Sequence, residues 1–235
     1  MVQVKICGIT SLKDAELACK LGAHAIGLNF YPKSPRAVSP FTAEEIIRQL
    51  PPLVTTVGVF VNWAPQPVLA LAKALRLAAV QLHGDESPEV VAEIAEKIPV
   101  IKAFRVGQGS PKPNFARYKN ASAFLLDADS KGQFGGTGRP ADWQVAKTAA
   151  RMHHIFLAGG LTPENVAEAI RVVKPYAVDV ASGVESRPGK KAAHRHRGCG
   201  RHRPAKISSG TPSSPAGRGR RGLQLQAGER AGSRA

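Results

Sequence analysis

The chain of 235 residues carries 33 Lys+Arg against 17 Asp+Glu, a formal net charge of +16. That length suits one sizeable core, and the first 20 residues hold Lys5, Lys13, Asp14, Glu16 and Lys20, so no apolar run there reads as a signal peptide or a membrane span. Three scattered cysteines, Cys7, Cys19 and Cys199, have no metal-ligand spacing and an odd count, which argues against a disulfide framework and for reduced thiols in a cytoplasmic protein.

Up to about residue 184, short β-branched runs alternate with longer amphipathic stretches, the pattern of βα units around a parallel sheet. The first strand is expected over residues 2–9, followed by a helix over 12–21 that Ser11 caps and Gly22 ends. The second strand covers 23–30, with Thr42 as cap of a helix over 43–50. Strands follow at 55–62 and 79–84, then a helix over 88–97 opened by Ser87 and Pro88. Residues 99–106 form the fifth strand, 111–120 a weak segment with at most a helical turn, and 123–129 the sixth strand. The seventh covers 154–160, Thr162 and Pro163 open a helix reaching Lys174, and the eighth strand covers 177–184.

A strand of a parallel sheet is normally apolar on both faces, and four of these are not. Val2, Val4 and Ile6 alternate with Gln3, Lys5 and Cys7; Val80 and Leu82 with Gln81 and His83; Phe124 and Leu126 with Leu125, Asp127 and Asp129; Val178 and Val180 with Asp179 and Ala181. Side chains change face with period two, so the apolar sets can meet outer helices while Lys5, Cys7, His83, Asp127 and Asp179 converge inside, near the C-terminal strand ends where barrel sites lie.

The charge is unevenly spread. Residues 190–235 hold twelve Lys+Arg and one acid, Glu229, and so carry +11, leaving +5 for the rest. The basic stretch is rich in Gly, Pro and Ser, lacks an apolar stripe and lacks interleaved aromatics for base stacking. The expected organisation is a barrel domain over 1–191 and a disordered basic tail over 192–235.

In chain order the motifs VKICGIT, FYPKSPR, GVFVN, VQLHG, LLDAD, FGGTG, LAGGLTPENV and VDVASGVE resemble those of phosphoribosylanthranilate isomerase, over roughly residues 2–191. The resemblance implies a (β/α)8 TIM barrel of tryptophan biosynthesis that performs an Amadori rearrangement of N-(5-phosphoribosyl)anthranilate, without metal or organic cofactor. The partner implied is a small phosphosugar substrate, with neither a membrane nor a specific nucleic acid, in a monomer or homodimer. It assigns the catalytic base to Cys7 and the acid to Asp127. Lys5, two residues away on the same face, is expected to lower the Cys7 pKa, and desolvation together with Asp129 to raise that of Asp127. Cys19 reads as a buried, inert thiol.

The turns at Gly159, Gly160 and at Ser182, Gly183 follow strands seven and eight, where such barrels bind phosphate through close backbone amides. The FYPKSPR match gives Arg36 the anthranilate carboxylate as its bidentate partner. Asp179 can meet a ribose hydroxyl or pair with Lys5, and His83 can face the anthranilate or be a satisfied buried histidine. The glycine-rich loop 130–139 reads as a cover over the sugar or a plain connector. Gly8, Gly22 and Gly84 are accounted for as helix breakers.

After VESRPGKK the family would continue with an amphipathic eighth helix, and this chain does not. A reading-frame shift in a GC-rich coding sequence accounts for the abrupt change; a genuine basic appendage is the alternative. Loss of that helix is expected to expose Val4, Val178 and Val180. The competing functions are another phosphosugar isomerase or epimerase barrel, and nonspecific nucleic-acid binding through the tail.

Overall fold

A strand that carries apolar residues on one face and small or polar residues on the other can close a sheet on itself, burying the first face under helices and the second in the barrel. The computed structural model, which describes residues 1–107, 112–128 and 143–192, has that architecture. Eight parallel strands close in sequence order: β1 (Gln3–Cys7), β2 (Ala25–Asn29), β3 (Thr55–Phe60), β4 (Ala79–Leu82), β5 (Val100–Val106), β6 (Ala123–Ala128), β7 (Ile155–Leu157) and β8 (Ala177–Val180). Closure is the pairing of β1 with β8, from Gln3 opposite Ala177 to Ile6 opposite Val180.

The helices are α1 (Leu12–Lys20), α2 (Pro40–Arg48), α3 (Pro65–Ala74), α4 (Pro88–Ala95), α5 (Trp143–Ala149) and α6 (Val166–Val173). Ser11 and Ser87 cap α1 and α4 as expected, accepting from the Asp14 and Val90 amides. Two helix starts differ from the sequence reading. The cap of α2 is Ser39 rather than Thr42, because Pro40, with no amide hydrogen to lose, occupies the first turn and the Ser39 hydroxyl accepts from the Thr42 amide. In α6 the cap is Asn165, and its side chain accepts from the Thr162 amide and donates to the Gly160 carbonyl, so Thr162 and Pro163 belong to the preceding turn. The weak segment after β5 is one 3₁₀ turn, Phe115–Tyr118.

One apolar cluster fills the space between sheet and helices; a smaller one inside the barrel contains Ala25, Val57, Ala79, Ile101, Ala123 and Leu125. The exposure expected at Val4, Val178 and Val180 is not found: they are 9%, 0% and 1% exposed. They share the outer cluster with Ala15 and Ala18 of α1, Val166, Ala169 and Val173 of α6, and Val184. Beyond β8 the chain makes a 3₁₀ turn (Ser182–Val184) and then an antiparallel hairpin, β9 (Glu185–Arg187) and β10 (Lys190–Lys191), which the sequence reading lacks.

The chain divides into two units, Met1–His202 and Arg203–Ala235. The expected tail from 193 onward, Asp129 and the glycine-rich loop 130–139 lie outside the described residues. Among the described residues no helix is long and apolar enough to cross a membrane.

Candidate active site

The period-two alternation of the strands delivers its polar residues to one cleft at the C-terminal end of the barrel. Cys7, Arg36, Gln81, His83, Asp127, Gly159, Gly160, Asp179 and Ser182 all line it. Cys7 ends β1, His83 follows β4, Asp127 lies near the end of β6, and Asp179 is on β8, so each arrives from a different strand.

Lys5 is not on the wall but beneath it. It is 0% exposed, and its ammonium donates to both carboxylate oxygens of Asp179 at 2.9 Å. Of the two partners open to Asp179, the structure therefore supplies the lysine. Burial works against the Lys5 charge, but Asp179 and Cys7 outweigh it, so Lys5 titrates above its ordinary range.

Burial reverses the expectation for Cys7. Burial pushes the thiol up, and the Asp179 carboxylate adds to the rise, while Lys5 and Lys191 only partly oppose it. The physical reason is first that the thiol is removed from water, which disfavours its anion, and second that Lys5 shares its charge with a carboxylate that also faces the thiol. Gly27 leaves room here, since a Cβ on it would lie 2.8 Å from the Cys7 Sγ and 3.1 Å from the Lys5 Nζ. Cys19 is half-buried on α1, and burial raises its pKa also.

Asp127 is 4% exposed, and its Oδ2 lies 3.3 Å from the His83 Nε2. The Gln81 amide nitrogen is 2.7 Å from the His83 Nδ1. The His83 ring is flanked by the Gln81 amide at Nδ1 and the Asp127 carboxyl group at Nε2. Gln81, fully buried on the same inward face, is thus part of the site.

Gly159 and Gly160 adopt φ of 81° and 64°, the left-handed region that glycine enters without strain. Their turn meets the one after β8 in backbone contact, because a side chain on Gly183 would collide with the Leu161 carbonyl oxygen. Gly160 and Ser182 line the cleft, whereas Gly183 is the residue that permits the close approach.

Two of the glycines ascribed to helix breaking do something else. A Cβ on Gly8 would strike the Arg36 stem, and one on Gly84 would strike the Asn62 and Glu86 side chains, so both are close-packing positions. Glu86 is buried and paired at 2.8 Å with Lys102, a second buried pair beside the site.

Arg36 already has a carboxylate partner. Its Nε donates to the Glu185 Oε1 at 2.9 Å and its Nη2 to Oε2 at 2.7 Å. A guanidinium has five donors in a planar fork, so this uses one edge and leaves further Nη donors for a second carboxylate. Glu185 and Lys191 are the site residues that sequence reasoning missed. Both are charged residues in a glycine- and proline-containing stretch, VESRPGKK, that resembles a solvated loop until the hairpin is seen.

Comparison with known proteins follows the same outline. The family model for N-(5′-phosphoribosyl)anthranilate (PRA) isomerase matches residues 4–197. The N-(5′-phosphoribosyl)anthranilate isomerase of Trichlorobacter lovleyi is 52% identical over 198 residues, covering 84% of this chain and 95% of the relative. The crystal structure of phosphoribosyl anthranilate isomerase from Thermus thermophilus superposes with a TM-score of 0.76 at 43% identity, covering 84% and 96% of the two chains. A phosphoribosyl anthranilate isomerase in complex with reduced 1-(o-carboxyphenylamino)-1-deoxyribulose 5-phosphate gives 0.73 at 45% identity, with the same coverage. A closed eight-stranded barrel with these motifs at its strand ends, matched across more than four-fifths of its length, places the chain in the N-(5′-phosphoribosyl)anthranilate isomerase family.

Proposed function

We propose that the chain isomerises N-(5′-phosphoribosyl)anthranilate to 1-(2-carboxyphenylamino)-1-deoxyribulose 5-phosphate, a step of tryptophan biosynthesis in the cytoplasm, with residues 1–191 as the catalytic unit. The observation that carries this is one cleft lined by a thiol, a carboxyl group, an arginine and two apposed glycine turns.

The chemistry has two proton transfers. Asp127 donates to the furanose ring oxygen as the C1′–O bond breaks, leaving an iminium between C1′ and the anthranilate nitrogen. Cys7 then removes the C2′ proton, which the adjacent iminium has acidified, and the resulting enolamine tautomerises to the ketone. Burial keeps the resting thiol protonated, so the thiolate must form as substrate binds, and Lys5 and Lys191 are the cations that favour it. His83 orients the Asp127 carboxyl. The backbone amides around Gly159, Gly160, Ser182 and Gly183 take the phosphate, and the free edge of Arg36 takes the anthranilate carboxylate.

The test follows loss of anthranilate-ring fluorescence in purified protein. Cys7→Ala and Asp127→Asn should each lower kcat by about 10²-fold or more with KM little changed. Turnover near that of the unaltered chain in either variant refutes the assignment.

A further inference from the structure

The ladder between β1 and β8 ends at Ile6 opposite Val180, and the two strand ends beyond it, Cys7 and Ala181, have no such pairing with each other. Lys191 bridges that gap. Its side chain is 0% exposed, and its ammonium donates to the Cys7 carbonyl at 2.6 Å, the Ala181 carbonyl at 3.3 Å and the Glu185 Oε1 at 2.8 Å. Three acceptors match the three donors of an ammonium, which is what a fully buried lysine requires.

Glu185 stands opposite Lys191 on the other strand of the hairpin and is also enclosed. It takes the Arg36 fork and the Lys191 ammonium together, along with the Gly189 amide at 3.3 Å. Burial opposes its charge, but Arg36 and Lys191 outweigh that and hold its pKa below the usual range. The hairpin is itself tied to α1: the Lys191 amide donates to the Asp14 Oδ2 at 3.3 Å, and the Thr10 hydroxyl donates to the Gly189 carbonyl.

A strap needed only to cover the strand ends could use apolar residues, since a buried ion cluster costs desolvation that packed hydrocarbon does not. Here each charge is aimed instead at a residue of the cleft or at the main chain that carries one. Arg36, Cys7 and Ala181 all line the cleft, and Ala181 precedes the turn that bears Ser182 and Gly183.

We infer that Glu185 and Lys191 are positioning residues for the isomerisation, Lys191 holding the Cys7 end of β1 against the turn after β8 and Glu185 setting the Arg36 guanidinium for the substrate carboxylate. This rests on the proposed function.

The experiment uses the full chain with Glu185→Gln, Lys191→Met, Lys191→Arg and Arg36→Ala. Lys191→Met should lower kcat at least 10-fold with KM changed less than threefold, and Lys191→Arg should recover part of it. Glu185→Gln should raise KM at least fivefold with kcat largely kept, and this effect should vanish in the Arg36→Ala background, because Glu185 acts through that arginine. Circular dichroism confirms that each variant is folded, and iodoacetamide labelling of Cys7 reports independently of turnover. The groups facing the thiol are Lys5, Asp179 and Lys191, so Lys191→Met should move the labelling profile to higher pH. An undiminished Glu185→Gln effect in the Arg36→Ala background overturns the inference for Glu185. An unchanged Cys7 labelling profile with unchanged kcat in Lys191→Met overturns it for Lys191. If the unaltered chain does not turn over the substrate, the proposed function fails, while the labelling still tests the Lys191 contact.

Discussion

Replacing Lys5 by Met removes one charge from a buried ion pair beneath the cleft and leaves the other. The ammonium and the Asp179 carboxylate are 2.9 Å apart, with side chains 1% and 7% exposed. At an effective dielectric constant of about 20, unit charges at that separation attract by about 6 kcal/mol before desolvation, which takes back several kcal/mol from each ion. The pair therefore adds little net stability, but Lys5→Met should cost about 3–5 kcal/mol because Asp179 stays buried without its cation. That is about a fifth or more of the stability of an ordinary domain. Lys5→Met combined with Asp179→Leu should recover most of the loss. Urea unfolding at neutral pH measures both variants against the unaltered chain. The pH dependence carries a second sign. The folded pKa of Lys5 lies above its unfolded value of about 10.4, so its contribution is complete below that pH and is lost as pH rises through the folded value. The unaltered chain should thus lose part of its advantage over the single variant in alkali. A Lys5→Met cost under about 1 kcal/mol, or a double variant no better than the single one, would show that water or a neighbouring group compensates Asp179 and that the pair does not hold the cleft floor.

Iodoacetamide should label Cys7 in the ligand-free protein with a midpoint above the ordinary thiol value of about pH 8.5, followed by mass spectrometry of the Cys7 peptide; rapid labelling at pH 7 would contradict the dominance of burial and Asp179 over Lys5 and Lys191. Because the thiol is favoured in the folded state, its contribution to stability is present below that pH and declines as pH rises through the folded value. Gly183→Ala forces a methyl group against the Leu161 carbonyl, so it should cost about 1–3 kcal/mol and weaken inhibition by inorganic phosphate; unchanged melting and phosphate inhibition would mean the two turns do not form one anion site.

Much of this molecule is legible from its residues in order. The alternation of Val4 and Ile6 with Lys5 and Cys7, and of Phe124 and Leu126 with Leu125 and Asp127, assigns a face to each side chain because a strand offers only two. Eight such runs separated by amphipathic stretches then make the parallel barrel and the convergence of its polar faces nearly unavoidable. Local rules ran short where two residues compete for the same job over a few positions. Ser39 and Thr42 both suit a helix cap, and only the Pro40 backbone geometry selects between them.

What the tertiary structure alone decided are the partnerships between residues far apart in the chain. Lys5 and Cys7 are two positions apart, which suggested an activated thiol; the fold buries that thiol, which raises its pKa, and brings in Asp179 from the far end of the sequence to bind the lysine and add to the rise. Arg36 and Glu185 are 149 residues apart, and Cys7 and Lys191 184 apart, so no periodicity or spacing could link them. A charged residue in a glycine- and proline-containing stretch is soluble as an isolated segment, and only barrel closure, which sets β8 beside β1, encloses Glu185 and Lys191 and fixes the acceptors they meet.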